Sequence, residues 1–358
     1  MPVDEILKNN KLRMGLGIIV VFEILAAVFL VSRLSIETSP EAKSEPTKPD
    51  TNTALVSFTT VGDFGANETT KRVLKTSVSQ KPDFTLALGD FAYNQTKSEA
   101  EWCGFIHTAV GDTFPFMLIA GNHDVEGDGG FGNGHFEKYA ACLPNRMPNM
   151  RGTYGEKYFF DQGNTARIIG IAPNLSVYGA PGNYNKGGDA YVWLSSTIDD
   201  ARAKNISWLV VAMHENCIAM GVKKCEIGED LLNLLVEKKV DLILQGHEHG
   251  YMRSSQLSLN PACASISAST PKAECVVIST ENSYKKGLGP LLVINGTGGF
   301  DVRDINLQRA EKIFFASWHG KNIEPANGPV SVKIYSDRLE AEYLGVEGKV
   351  QDSFKVIQ

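Results

Sequence analysis

The apolar run Val240-Asp241-Leu242-Ile243-Leu244-Gln245 breaks at Gly246 and at once presents His247-Glu248-His249. A strand ending in Gly-His-x-His delivers two imidazoles at period two, at the rim of a sheet where a ligand can sit. Alone, such a pair reads equally well as two loop histidines. The same punctuation recurs, however. Leu55 to Val61 closes on Gly62-Asp63-Phe64-Gly65, Phe84 to Leu88 on Gly89-Asp90-Phe91-Ala92-Tyr93, Phe116 to Ala120 on Gly121-Asn122-His123-Asp124, and Trp208 to Met213 on His214. Each residue has a plain structural use, since Asp after Gly is a common turn or cap residue. Together, Asp63, Asp90, Tyr93, Asn122, His214, His247 and His249 form a set of carboxylate, phenol, amide and imidazole donors suited to metal ions. In α/β sheets ligands gather at the carboxyl ends of strands, where all of these residues stand.

The elements that must hold them read as an α/β layer. The first strand is followed by a helical stretch from about Glu68 to Gln80 with Val73, Leu74 and Val78 on one face. A second helix from about Glu229 to Lys239, acidic at its start and basic at its end, leads into the two-histidine turn. After Cys275 the pattern changes to strands (Val276 to Ser279, Leu291 to Asn295, Val330 to Tyr335, Leu339 to Leu344), which predicts a second sheet.

The chain has 358 residues, 43% hydrophobic and 21% charged, with a net charge of -6, so no overall basic field invites nucleic acid as a partner. From Met14 to Val31 the segment MGLGIIVVFEILAAVFLV is apolar except for Glu23. As a helix at about 1.5 Å per residue it is long enough to cross a bilayer. Glu23 costs roughly 2.5 to 3.5 kcal/mol there, which the apolar residues outweigh. Lys8, Lys11 and Arg13 precede the segment and place residues 1–13 in the cytoplasm. The organisation expected is a transmembrane anchor at 14–32, a disordered, Pro-, Thr-, Glu- and Lys-rich stalk at 33–53, and a catalytic domain at 54–358 on the outer side of the membrane. The alternative is secretion after signal cleavage. The six cysteines include no Cys-x-x-Cys pair, which points to disulfides outside the cytosol. Spacing does not select one pairing; the short closures Cys217 with Cys225 and Cys263 with Cys275, leaving Cys103 with Cys142, are the expected set. Sequons occur at Asn67, Asn94, Asn174, Asn205 and Asn295.

The ordered series Gly-Asp63-x-Gly, Gly-Asp90-x-x-Tyr93, Gly-Asn122-His123-Asp124, Val211-x-x-His214 and Gly-His247-x-His249 resembles the five blocks of the calcineurin-like metallophosphoesterases, and the Tyr93 block resembles the purple acid phosphatase branch. The resemblance implies a four-layer α/β/β/α sandwich of two mixed sheets flanked by helices, with two metals at the strand ends. One metal would take Asp63, Asp90, Tyr93 and His249, the other Asp90, Asn122, His214 and His247, with Asp90 bridging. Two carboxylates and a phenolate suit iron(III); the Asn, His and shared Asp set suits iron(II), zinc or manganese. A phenol with a free pKa near 10 becomes a ligand at neutral pH only beside a strong Lewis acid. The implied reaction is hydrolysis of a small phosphate monoester by a metal-bound hydroxide at the dinuclear centre.

His123 would stand by the substrate phosphate and either hydrogen-bond it or protonate the leaving oxygen, with Asp124 orienting it or a nearby turn. Plant-type members carry further histidines between the fourth and fifth blocks, and this chain has none from Glu215 to Gln245. Substrate contacts are therefore sought in Asn122, His123, Asn216, Arg253 and His135, the last in the glycine-rich stretch Glu126 to His135. Asn295-Gly296-Thr297-Gly298-Gly299 looks like a phosphate cradle but matches a supporting strand end in the family. The alternatives are a phosphodiesterase or nucleotide hydrolase with the same centre, and a surface binding domain that keeps the fold without turnover.

Overall fold

The computed structural model describes residues 52–125, 135–179, 181–279 and 281–358. The anchor expected at 14–32, and the stalk at 33–53 up to residue 51, lie outside the described residues. Among the described residues no helix is long and apolar enough to cross a membrane.

Two mixed sheets face each other. In the first, the parallel strands Val56–Val61, Phe84–Ala87 and Phe116–Leu118 lie side by side, and Val330–Ile334 pairs antiparallel to Val56–Val61 and carries Arg338–Leu344, Val350–Ile357 and Ser283–Lys285 beyond it. In the second, Ala166–Ile171, Trp208–Ala212, Leu242–Gln245 and Leu291–Asn295 are parallel. Antiparallel strands Lys157–Gln162, Arg151–Thr153, Tyr251–Ser254 and Phe315–His319 finish its edges.

Period two decides which side chains face which layer. Val210, Ala212, Leu242, Leu244, Leu291 and Val293 point into the core between the sheets with Phe58, Leu86 and Leu118. Their neighbours Leu209, Val211, Ile243, Leu292 and Ile294 point the other way, onto Leu194 and Ile198 of the helix Asp189–Ala203 and Leu231 and Leu235 of the helix Glu229–Glu237. Because both faces of these strands are covered, they read as continuous apolar runs rather than alternating ones. On the first sheet Thr59 and Thr85 turn outward to Ser77 of the helix Glu68–Ser79, a buried hydroxyl cluster. Asn67 caps that helix by accepting from the Thr70 amide at 3.0 Å.

One expectation changes, and one parallel strand of the second sheet was not expected. The strands after Cys275 do not form one second sheet: Val276–Val277 pairs with Gln256–Leu257 in a small two-stranded ladder, and the others are shared between the two large sheets. A short parallel array leaves open edges, and unpaired edge groups are satisfied most directly by strands of the same chain. The strand Ala166–Ile171 carries no ligand-type residue after it, only Ala172-Pro173, so the punctuation that marks the other strands is missing.

All three expected disulfides are present: Cys103 with Cys142, Cys217 with Cys225, and Cys263 with Cys275. The Asn295 side chain is buried and its amide donates to the Thr60 and Gly328 carbonyls, so that sequon is closed in the folded protein.

Arg253 is not a substrate contact. It is 1% exposed, and its Nε and Nη2 donate to Asp352 at 2.6 and 3.1 Å, while Tyr251 donates to the same carboxylate at 2.7 Å. Burial works against the guanidinium's charge, but Asp352 more than restores it and raises its pKa. The pair fastens a strand of one sheet to the C-terminal strand of the other. Asp352→Ala leaves a buried charge without its counter-ion and is expected to cost about 3–5 kcal/mol in urea unfolding. Arg253→Met with Asp352→Leu is expected to cost less, and equal losses would show that packing rather than charge sets the effect.

Candidate metal centre

Five parallel strands, three from the first sheet and two from the second, run out at one edge and turn there. Asp63, Asp90, Tyr93 and His247 each adopt a left-handed backbone, with φ of 63°, 56°, 48° and 70°. For residues with a Cβ such conformations cost free energy and persist where surrounding contacts enforce them. Glycines make the approach of the turns possible. A Cβ on Gly121 would stand 2.3 Å from both the amide nitrogen and Oδ1 of Asp90, and one on Gly89 2.7 Å from His214 Nδ1.

The turns bring the ligand-type atoms into two groups, Asp63 with Asp90 and His249, and Asp90 with His214 and His247, each with its atoms within 4.8 Å of one another. Asp90 belongs to both. Tyr93 joins the first group: its hydroxyl donates at 2.7 Å to Asp63 Oδ1 and at 2.7 Å to Asp90 Oδ2, and lies 3.0 Å from His249 Nε2. Asn122 joins the second, with Oδ1 3.2 Å from His214 Nε2. His247 Nδ1 is 3.0 Å from the same nitrogen. Asp63 and His214 are wholly inaccessible, and Asp90, His247 and His249 nearly so.

The histidines are held from behind. His214 Nδ1 meets the Leu88 carbonyl at 2.6 Å and His249 Nδ1 meets the Asp301 carbonyl at 2.7 Å, so Nε2 of each faces the centre. The Tyr93 ring stacks on Phe300 with centroids 3.8 Å apart and 2° between planes. Phe300 follows the glycine-rich 295–299 stretch, whose backbone braces the site: the Gly298 amide donates to Gly62 and the Phe300 amide to Asp63. That is a supporting role, as expected for the stretch.

Burial alone would hold these carboxylates protonated. Instead Asp63 is held low by the His249 contact and charge and Asp90 by the charge of His214. Burial likewise pushes the His214 imidazole down, but the Asp90 charge overcomes it and lifts His214 to about 10. Burial and the two aspartates drive the Tyr93 phenol well above 10. The buried negative charge is thus offset by the proton on His214 while Tyr93 stays neutral, and the same donors, once deprotonated, suit cations.

Other expected residues fall nearby with different tasks. His123 lies beside the first group, with its ring centroid 4.5 Å from that of Tyr93 and its amide donating to Asp90 Oδ1 at 2.9 Å. His135 sits at the start of the helix Phe136–Cys142, and both histidines line one cavity of about 330 Å³ with Tyr93 and Lys138. Residues 126–134 of the glycine-rich stretch lie outside the described residues. Asp124 does not face this cavity. It is wholly buried, and its oxygens accept the amides of Asp90, Phe91 and Gly121 at 2.7 to 2.8 Å, clamping two ligand-bearing turns together. Asn216 is also wholly buried, and its amide donates to the Gly246 carbonyl at 3.1 Å, under the turn that presents His247 rather than toward substrate.

Cation uptake must expel the protons on His214 and Tyr93. Since His214 holds its proton up to about 10, apparent zinc affinity is expected to rise with pH, with protons released on binding, across about pH 6 to 9. Calorimetric titrations in buffers of different ionisation enthalpy read that release, and a pH-independent affinity without it would refute the proton balance.

A family model for calcineurin-like phosphoesterases matches residues 56–251, a range that contains every ligand-type residue above. An uncharacterized protein of Mycobacterium tuberculosis is 31% identical over 192 residues, 49% of this chain and 35% of that protein. Purple acid phosphatase 15 of Arabidopsis thaliana is 25% identical over 225 residues, 55% of this chain and 40% of its own length. The chain therefore spans less than half the length of these relatives. Among solved structures, a purple acid phosphatase from yellow lupin seeds superposes with a TM-score of 0.64 at 18% identity, covering 84% of this chain and 53% of that one. GAP50, described as the anchor in the inner membrane complex of Plasmodium, gives 0.53 at 15% identity, covering 84% and 88%. With its five ligand-bearing turns in order inside the matched segment, the chain belongs to the calcineurin-like phosphoesterase family and resembles its purple acid phosphatases.

Proposed function

We propose that this protein hydrolyses small phosphate monoesters at a dinuclear metal centre. Iron(III) would be held by Asp63, Asp90, Tyr93 and His249, and iron(II), zinc or manganese by Asp90, Asn122, His214 and His247. The observation that carries the reading is the sharing of one buried carboxylate, Asp90, between two groups of donors. A bridging carboxylate neutralises two cations at once and suits the roughly 3.5–4 Å spacing of two-metal sites. Two cations there supply the Lewis acidity that makes water a nucleophile and offsets charge developing on the phosphoryl oxygens.

The chain's own groups do the rest. Asn122 ties the second group to the turn that carries His123, and His123 opens on the cavity beside Tyr93. It is placed to hydrogen-bond the phosphate and pass a proton to the leaving oxygen. Burial holds its pKa below the ordinary histidine value, with the Asp90 charge opposing, so its cationic form belongs to acid pH. Proton donation by His123 therefore weakens as pH rises through that pKa, which fits an acid phosphatase.

The anchor at 14–32 would hold the domain on the outer face of a membrane. Three disulfides support that side, because such bonds persist outside the reducing cytosol, and the Asn94, Asn174 and Asn205 sequons are exposed. A diesterase would use the same donors, and a fold kept only for binding would need none of them.

The test is the visible spectrum and turnover of the full-length protein. A phenolate-to-iron(III) band that disappears in Tyr93→Phe is expected, with monoester hydrolysis falling at least about 10²-fold in Asp90→Asn and His214→Ala. A colourless active protein containing zinc or manganese would overturn the iron assignment, a preference for diesters would overturn the substrate class, and unchanged turnover in both variants would overturn the site.

A further inference from the structure

The three histidines of the centre differ in what stands behind them. For His214 and His249 the second ring nitrogen meets a backbone carbonyl. For His247 it meets a side chain: Nε2 stands 2.8 Å from Glu226 Oε2, at ion-pair distance, and both are buried atoms that make no hydrogen bond of regular geometry. His247 also presents Nδ1 rather than Nε2 to the centre. Glu215 lies close by, within a third group of ligand-type atoms formed with Glu226 and His247, but its Oε2 accepts from Asn174 at 3.0 Å. Of the two carboxylates, Glu226 is the one at ion-pair distance from the ring nitrogen.

The position of Glu226 is built by a small covalent ring. Cys217 and Cys225 are bridged, and the residues just outside them are paired, with the Glu226 amide donating to the Asn216 carbonyl at 2.9 Å. That closed loop is fastened to the strand before His247: Asn216 Nδ2 donates to the Gly246 carbonyl, and Gln245 Nε2 donates to the Glu215 carbonyl at 2.8 Å. Through these contacts the loop and the turn carrying His247 form one unit, with the carboxylate aimed at the ring.

Building on the two-metal reading above, we propose that Glu226 is the positioning residue of His247: it accepts the Nε2 proton, so that Nδ1 is turned to the second metal, and the Cys217–Cys225 bridge holds it there. A carboxylate behind a ligating imidazole fixes its tautomer and raises its basicity more than a carbonyl does, and loss of such a partner typically lowers metal affinity about 10–100-fold. The second metal would then be the one whose retention depends on an ionised side chain and a reducible bond.

The test uses the full-length chain stripped of metal by a chelator and titrated with zinc by calorimetry, and with cobalt(II) by visible absorption. The unchanged chain is expected to bind two equivalents. Glu226→Ala is expected to weaken one of them about 10–100-fold and to alter the cobalt spectrum, with the metal-free melting temperature little changed. Glu226→Gln, whose amide oxygen still accepts the Nε2 proton without the charge, is expected to fall between. If the alanine variant fails to fold, the glutamine variant carries the test. Replacing both Cys217 and Cys225 by serine is expected to weaken the same equivalent. Wild-type affinity and spectrum in a folded Glu226→Ala or Glu226→Gln chain would overturn the proposal. An unchanged chain that binds fewer than two equivalents would instead remove the two-metal reading, and the proposal with it.

Discussion

The Asp90 carboxylate is the constraint on which the rest depends. It is buried between two sheets, and its oxygens lie close to Tyr93, to His214 and to the His123 amide. A buried carboxylate without compensating charge is costly, so every group around it must arrive together and in register. This explains why the turn is strained, why Gly121 has no room for a side chain, and why Asp124 is spent on three backbone amides rather than on chemistry.

The surroundings are rigid in keeping with that demand. The inner core between the sheets holds the strand ends, and the outer core locks the second sheet to its helices. The Arg253–Asp352 pair joins the two sheets, one disulfide ties the helix that carries Cys103 to the one that ends at Cys142, and another closes the loop between Cys217 and Cys225. Strain at Asp63, Asp90, Tyr93 and His247 is affordable because these neighbours leave the turns no lower-energy alternative.

Similarity of fold leaves activity open. One neighbour is a phosphatase by name and another an anchor by name, at similar coverage of this chain. What separates readings is the site. Two buried groups of donors joined through one carboxylate have no evident use in a purely adhesive domain, which needs no such concentration of compensated charge.

The sequence by itself determined the donors. Apolar runs long enough for strands, broken at glycine and followed by Asp63, Asp90, Asn122, His214 and His247, are local patterns that chain chemistry writes directly, and the short cysteine closures are nearly as local. The starts of the helices at Glu68 and Glu229 were legible too, because the apolar face of the first and the acidic first turn of the second are local to their own helices. Tertiary structure alone decided what each side chain meets. Arg253 turned out to balance Asp352, some hundred residues away in sequence, and Phe300 and Glu226 joined the site from segments without strand punctuation. Apart from Val276–Val277, the late strands divided between the two large sheets because open edges, not local pattern, chose their partners. Propensity and periodicity act over a few residues, whereas charge compensation and edge pairing act through space, and only the folded chain brings those partners within reach.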